Sequence, residues 1–335
     1  MRRIILVFLI ILIGLAVFFF KASAPLLIDL EEVHLSKPGK LKNAQRGDTL
    51  SVMTYNLGYL SGMINNSPSQ RKEENFDQNE LRFSQLIKQW NPDILGLQEV
   101  DIDADRSFNK DQSAGLMEDL EYRQRYFSVN WNKRYVPFPY WPFSAHFGKI
   151  ISGQAIISKF NLSNTEAVTL VMPENKSFLY KAFYLERLIQ SSDAIIGEDT
   201  IRILNVHLEA FEKETRLEHA RVVRQMFEAI SEQMPVLLIG DFNSQPDYVA
   251  IDDAMQIIMG SKHIKSAISK QQYHMNPEKY FTFNSRDPYQ MIDYILFNEN
   301  FIQSISSSVV SEASETSDHL PVFMEFVLKH QNDLN

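Results

Sequence analysis

The chain reads as an α/β protein behind an apolar leader, and three observations predict this. Short apolar runs rich in β-branched residues recur along it, and several end in a carboxylate, an amide or an imidazole. That is how buried strands end at the rim of a sheet. Segments starting at Asp77 and Lys213 repeat apolar residues at the three-and-four spacing of a helix with one buried face. Ile4 to Phe20 is an uninterrupted apolar run without a counterpart downstream.

The leader comes first. Arg2 and Arg3 precede the apolar run and Lys21 ends it. The run is longer than the apolar part of a usual signal peptide and just long enough to cross a bilayer. Ala22-Ser23-Ala24 offers small residues for cleavage, but Pro25 follows directly and disfavours it. Residues 1–24 are therefore expected to stay as an anchor, in the membrane through residues 4–20. Arg2 and Arg3 would be cytoplasmic and the rest of this single-pass chain extracytoplasmic. Residues 25–49 read as a linker with room for an edge strand. No repeat or composition shift divides the remainder, so 50–328 reads as one catalytic domain and 329–335 as a polar tail.

Cysteine is absent, which excludes disulfides, thiolate metal sites and a catalytic thiol. Without Arg2, Arg3 and Lys21 the chain carries 30 basic against 42 acidic residues, a net of −12. Such a surface disfavours nonspecific nucleic-acid binding. It leaves a nuclease possible, because a bound divalent cation offsets charge locally.

Leu50 to Asn56 predicts a strand ending in an amide, and Asn65 to Asn75 a loop. From Asp77, Phe83, Leu86, Ile87 and Trp90 predict a helix that Asn91-Pro92-Asp93 stops. Ile94 to Val100 predicts a strand with Glu99 near its end, and Tyr126 to Asn130 another. Arg134 to Phe147 crowds six aromatics around three prolines, which argues against regular structure. It reads either as a loop packed down by its aromatics or as an exposed aromatic lip for lipid or substrate. Gly153 to Ser158, Ala167 to Met172 and Leu179 to Leu188 predict strands, the last broken by Glu186-Arg187. Thr200 to Leu208 alternates and carries His207. Lys213 to Gln233 predicts the longest helix of the domain, with Leu217, Ala220, Val223, Phe227 and Ile230 on one face.

Val236 to Ile239 then runs into Gly240-Asp241-Phe242-Asn243. In strand geometry Asp241 and Asn243 share a side; alone, the same residues read equally well as a turn. Pro246 to Met259 predicts a helix, and Tyr280 to Phe283 and Met291 to Phe297 predict strands. Asp293 lies inside the last of these, and a buried carboxylate needs a partner. Asp318-His319 offers an imidazole, just before a final strand from Leu320 to Leu328.

The collected polar strand ends are Asn56, Glu99, His207, Asp241, Asn243, Asp293, Asp318 and His319. Hard oxygen ligands without cysteine favour Mg²⁺, or Mn²⁺, over zinc. Their contexts are Thr54-Tyr55-Asn56, Leu97-Gln98-Glu99, Asn205-Val206-His207-Leu208, Gly240-Asp241-Phe242-Asn243, Ile292-Asp293-Tyr294 and Ser317-Asp318-His319-Leu320-Pro321. In this order they resemble the endonuclease/exonuclease/phosphatase superfamily, which includes DNase I-like nucleases, neutral sphingomyelinases and inositol-polyphosphate 5-phosphatases. The resemblance covers residues 50–328.

It implies a four-layered α/β sandwich, two mixed sheets face to face with helices outside. It also implies roles. Glu99 would be the principal metal ligand, with Asn56 and Asp318 lining the metal site or the phosphate. Asp241 would orient or deprotonate the attacking water, and Asn243 would hold a phosphate oxygen. His319 would contact the phosphate, oriented by Asp293, and His207 matches a second histidine. Arg187 would reach the phosphate or lie in a surface ion pair. Phosphodiester hydrolysis needs these parts: an in-line water, charge on the non-bridging oxygens and a stabilised leaving group.

The expected function is that of an exported, membrane-anchored, divalent-metal-dependent phosphodiesterase acting on a lipid or small phosphodiester. The alternative is an extracytoplasmic nuclease. A third reading, of a different class, is a catalytically inactive binding module. No protein partner is expected.

Overall fold

The computed structural model describes residues 1–28, 34–313 and 315–329. Residues 330–335 of the expected tail and 29–33 of the expected linker lie outside the described residues. The elements run α1 (Arg2–Ser23), β1 (Leu35–Ser36), β2 (Leu50–Asn56), α2 (Glu73–Trp90), β3 (Ile94–Ala104), α3 (Ala114–Asp119), β4 (Gln124–Val136), β5 (Gly148–Ser158) and β6 (Asn161–Thr169). They continue with α4 (Phe178–Phe183), β7 (Leu188–Ile196), β8 (Asp199–His207), α5 (Lys213–Ser231), β9 (Val236–Asp241), α6 (Ala254–Met259) and β10 (Ile264–Ser266). The last are α7 (Lys270–Met275), β11 (Asp293–Asn298), β12 (Ile302–Val309) and β13 (Val322–Leu328).

One sheet has the order β1-β4-β5-β3-β2-β13-β12 and the other β10-β11-β9-β8-β7-β6. Pairs β2–β3 and β8–β9 are parallel, each joined through a helix, α2 or α5, as parallel neighbours require. The other pairs are antiparallel, so both sheets are mixed. Strand alternation then builds the layers. Val52, Ile94 and Ile156 of the first sheet share a core with Leu204, Val206 and Leu238 of the second. Met53, Tyr55, Leu95 and Leu97 point the other way and pack with Phe83, Leu86 and Ile87 of α2. Ala220, Val223 and Phe227 of α5 join the core with the second sheet. The result is the four-layered sandwich that the motifs implied.

A buried amide network ties the sheets together below the site. Asn205 Nδ2 of β8 donates to the Leu97 and Ala155 carbonyls of the opposite sheet, at 3.1 and 3.3 Å. Gln98 Nε2 donates back to Asn205 Oδ1 at 2.6 Å. Asn205 and His207 are two apart on one strand, and Gln98 precedes Glu99, so the network fixes both strand ends from beneath. Gly240 (φ 140°) serves the same purpose, because a side chain there would meet the Val206 carbonyl oxygen on the neighbouring strand.

Three expectations are corrected. Leu179 to Leu188 is not a strand: Phe178–Phe183 is α4, and β7 starts at Leu188. Ser177 caps α4 by accepting the Tyr180 N–H at 3.2 Å. A short apolar run fits either period, and here packing against Phe19 of α1 decides. Within Pro246 to Met259 only Ala254–Met259 is helical. Asp253 starts that helix, its carboxylate accepting the Ala254 N–H at 2.8 Å and pairing with Arg216 at 3.0 Å. Tyr280 to Phe283 is not a strand either. Pro277–Tyr280 is a 3-10 turn, and Phe283 makes isolated bridges to Gln290 and His319. The linker does add an edge strand, β1, paired with β4.

His219 of α5 is buried, with Nδ1 accepting the Glu209 N–H and Nε2 donating to the Val171 carbonyl at 2.8 Å. Those two bonds require the neutral ring, and burial lowers its pKa from the ordinary 6.5. The unfolded chain therefore binds the proton more readily. The stabilisation is full above pH 6.5 and is lost as pH falls toward the folded pKa. Urea unfolding of wild type and H219Q between pH 7.5 and 5.5 should diverge, with the wild type losing up to about 1.4 kcal/mol per pH unit more. Parallel curves would refute this.

Candidate active site

Strand register places the polar ends. His207, Asp241 and Asp293 are register partners across β8, β9 and β11, so they form a row at one edge of the second sheet. Asp241 is fully buried within it. Its Oδ1 accepts the Asn243 N–H at 2.9 Å, and its Oδ2 accepts from Asn56 Nδ2 at 2.9 Å. Nε2 of His207 and of His319 lie 3.4 and 3.8 Å from Oδ2. Burial first, and then the Asp293 charge, push this carboxyl up to about 7.

The two imidazoles differ. His319 Nδ1 lies 2.9 Å from Asp293 Oδ2. Burial alone would lower its pKa, but Asp293 and Asp241 outweigh burial and raise it well above the ordinary value. Among the described residues His207 Nδ1 has no hydrogen-bond partner. Burial, then Arg187 and His319, push its pKa well below the ordinary value. One ring is therefore held protonated and the other neutral. Ser317 fixes the loop that carries His319: its hydroxyl donates to the Asn56 carbonyl at 2.7 Å and accepts the His319 N–H at 3.1 Å.

The first sheet supplies Glu99. The β3–β5 register shifts between Leu97 and Val100, and Glu99 lies in that bulge at φ 52°. Bulges re-aim side chains, and this one turns Glu99 into the cavity. Glu99 Oε2 accepts from Asn65 Nδ2 at 2.9 Å, and the same amide lies 3.5 Å from both Asp318 oxygens. Burial and the like charge of Glu99 raise the Asp318 carboxyl to about 6, against the opposing His319.

Asn243 also faces the cavity, though not by strand geometry. The strand ends at Asp241, and Asn243 reaches the same side through a left-handed backbone (φ 47°), with Nδ2 on the Leu208 carbonyl at 3.1 Å. Arg187 is buried rather than at the surface. It lines the cavity with Nε 3.7 Å from Glu209 Oε2, while its Nη1 has no partner among the described residues. Asn56 and Asp293 stand behind this wall, holding Asp241 and His319. The structure thus gathers all nine of the residues read from the sequence around one cavity of about 440 Å³.

The sequence model of the Endonuclease/Exonuclease/phosphatase family matches residues 53–319. The chain belongs to this family. Its fold agrees with solved members. An endonuclease/exonuclease/phosphatase from Beutenbergia cavernae DSM 12333 superposes with a TM-score of 0.62 at 19% identity, over 87% of this chain and 76% of that one. The human Nocturnin catalytic domain, solved with a bound sulfate anion, gives 0.58 at 18% identity, over 84% and 95%. A mannosyl-6-phosphatase from Bacteroides thetaiotaomicron VPI-5482 gives 0.56 at 18%, over 83% and 99%. No curated protein sequence matches the chain.

The donor chemistry of this family member fits a hard divalent cation at Glu99 and Asp318. Both are carboxylates on the cavity wall, and among the described residues neither has a Lys or Arg in ion-pair range. Their mutual repulsion, which raises Asp318, is what a cation would relieve. Asn56 Oδ1 accepts the Gly58 N–H at 3.0 Å and, among the described residues, no second hydrogen bond. Asp241, Asp293 and His319 also bring ligand atoms within 4.8 Å of one another. There His319 Nδ1 lies 2.9 Å from Asp293 Oδ2, so these two groups satisfy one another without a cation.

Sequence reading missed Asn65, Tyr184 and Arg106. Asn65 links Glu99 to Asp318 from a loop, and no spacing marks it. The Tyr184 hydroxyl donates to Glu209 at 3.1 Å and sits 3.4 Å from Arg187. Arg106 lines the cavity with its guanidinium 3.4 Å from the Tyr59 ring centroid and paired with Asp101 at 2.8 Å. Asp105-Arg106 in a polar stretch after a strand looks like an ordinary solvated turn.

Proposed function

We propose that this chain is a membrane-anchored, exported phosphoester hydrolase that uses a divalent cation, most simply a phosphodiesterase for a lipid or small phosphodiester. The observation that carries the reading is Asp241 Oδ2 set 3.4 Å from His207 Nε2 and 3.8 Å from His319 Nε2, with the carboxylates Glu99 and Asp318 on the same cavity wall. A Mg²⁺ or Mn²⁺ ion held by Glu99 and Asp318, with Asn56 close by, would supply charge to the non-bridging phosphate oxygens. The chain's own groups do the rest. Asp241, ionised, orients the attacking water and takes its proton. Asn243 and Arg187 hold phosphate oxygens. His319, protonated and kept so by Asp293, offers charge and a proton on the leaving-group side. His207, neutral, stands 3.4 Å from Asp241 Oδ2 on the cavity wall. Every one of these positions carries a chemically competent side chain, which speaks against an inactive binding module.

The test is hydrolysis of bis-p-nitrophenyl phosphate by the full chain. Rates should rise with Mg²⁺ or Mn²⁺, collapse on chelation and return on readdition. His319→Ala should lose about 10²–10⁴-fold. Rates no different from buffer with either ion would sink the reading. Plasmid DNA in parallel separates the nuclease alternative, whose rate should fall steeply with salt.

A further inference from the structure

The apolar wall of the cavity continues to the end of α1. This helix is not a slack tether. Ala22 is buried, Phe19 meets Phe178 and Phe183 of α4 at centroid distances of 5.3 and 5.6 Å, and Phe18 meets Tyr135 at 5.9 Å. The chain leaving α1 is pinned to β4. The Leu26 N–H donates to Asn132 Oδ1 at 2.8 Å, Asn132 Nδ2 returns to the Leu26 carbonyl at 3.0 Å, and the Arg134 N–H reaches the Ala24 carbonyl at 3.0 Å. At about 1.5 Å per residue, a helix of 22 residues is about 33 Å long, close to the roughly 30 Å of a hydrocarbon core. With Arg2 and Arg3 at one boundary, Phe18 and Phe19 stand near the other. The elements packed on them stand there too.

Those elements are α4 and the end of β4, where Tyr135 lies, and β4 runs directly into the loop from Pro137 to Phe143; α4 and this loop form the surface beside the exit of α1. They carry exposed aromatics: Tyr140, Trp141 and Phe143 are 75%, 71% and 68% exposed, and Phe178 is 69%. The same two elements line the cavity, with Phe138 and Tyr140 from the loop and Leu179, Tyr180 and Phe183 from α4. The polar end, at Glu99, Asp241 and His319, belongs to the same cavity. An anchor serving only as a tether needs no alignment between its exit, an exposed aromatic surface and one wall of the site.

We propose that α4 and the Pro137–Phe143 loop seat in the outer boundary of the bilayer that α1 spans, and that the substrate is an amphiphilic phosphoester entering from the membrane plane. Its phosphate lies at the polar end and its hydrocarbon chain between α4 and the loop. The chemistry in this statement rests on the hydrolase reading; the seating does not. Aromatic residues favour this depth, where one side of the ring meets hydrocarbon and the other meets water.

Two measurements on the full chain in phosphatidylcholine vesicles test it. With lipids brominated on the acyl chains, tryptophan fluorescence should be quenched in a component that W141F lacks, since Trp131 is buried and Trp90 packs on Phe323. Identical quenching of wild type and W141F overturns the seating. The second measurement is the ratio of rates on hexadecyl p-nitrophenyl phosphate, carried in vesicles, to methyl p-nitrophenyl phosphate in solution. An F143S/F178S variant should lower that ratio by about tenfold or more. An unchanged ratio overturns the entry route, and preference for plasmid DNA over both esters overturns the substrate class. If neither ester is cleaved, the hydrolase reading fails, while the quenching result still decides the seating.

Discussion

Asp241→Asn should lower kcat on bis-p-nitrophenyl phosphate by about 10²–10⁴-fold, with melting temperature nearly unchanged. The substitution is isosteric and removes the proton acceptor without opening a cavity. Asparagine keeps one acceptor oxygen, so either the Asn243 N–H or the Asn56 amide retains its bond. The lost charge-assisted bond costs about 1.5–3 kcal/mol. That cost is offset because Asp241 is desolvated and repelled by Asp293, the two causes that raise its pKa to about 7. Catalysis and stability thus separate at this residue. Activity within a few-fold of wild type at saturating Mg²⁺ would remove Asp241 as the water-activating group. Loss of activity together with loss of the folding transition would make it structural.

Glu99→Gln has the second-largest expected effect, and it acts on the metal. Glu99 is tied only lightly into the fold: its side chain is 15% exposed, and its one side-chain hydrogen bond among the described residues is accepted from Asn65 at 2.9 Å. Glutamine accepts the same bond with its oxygen and tolerates φ 52° no worse than glutamate. What it lacks is the charge. The Mg²⁺ concentration for half-maximal activity should rise by about 10–100-fold, a scale at which even supporting residues of metal sites act. The Mg²⁺-dependent rise in melting temperature should shrink with it, since stabilisation by a bound ion follows its dissociation constant. Asp318 should also titrate lower, because one cause of its raised pKa is Glu99. A Glu99→Gln protein with unaltered Mg²⁺ dependence by both measures would place the metal elsewhere, and an unfolded one would make Glu99 part of the fold.

Much of the site was legible as a set of candidates. A polar residue closing an apolar β-branched run belongs at a sheet rim, which made Asn56, Glu99, His207 and Asp241 candidates; singly each also read as an ordinary rim or turn residue, and only the set in order, through the family resemblance, gave them roles. Asp293, inside an apolar run, demanded a partner, and His319 is that partner at 2.9 Å. Where the reading failed, two local solutions were close in energy. Leu179 to Leu188 suits a strand or a helix, and contact with Phe19, 160 residues away or more in the chain, selects the helix. Strand β7 went unread because Ser191, Ser192 and Asp193 interrupt its apolar pattern. They are buried because Asp193 meets Arg202 at 2.5 Å and Ser191 accepts from the same guanidinium at 3.2 Å. The aromatic segment divides: Phe147 is buried against Trp131, while Tyr140, Trp141 and Phe143 stay exposed.

The sequence by itself determined the apolar runs and the chemical types that close them, because burial of alternating apolar residues is a local rule with few solutions, and its motifs, taken in order, marked the family and through it the fold. Only the tertiary structure decided how those ends work together. Register across β8, β9 and β11 sets His207, Asp241 and Asp293 in a row. A bulge turns Glu99 into the cavity, and a left-handed residue does the same for Asn243. Protonation of the two histidines follows from what surrounds each ring in three dimensions, a paired carboxylate for His319 and burial for His207. Electrostatic energies depend on distance through space and on exclusion of water, and a linear chain specifies neither until it folds.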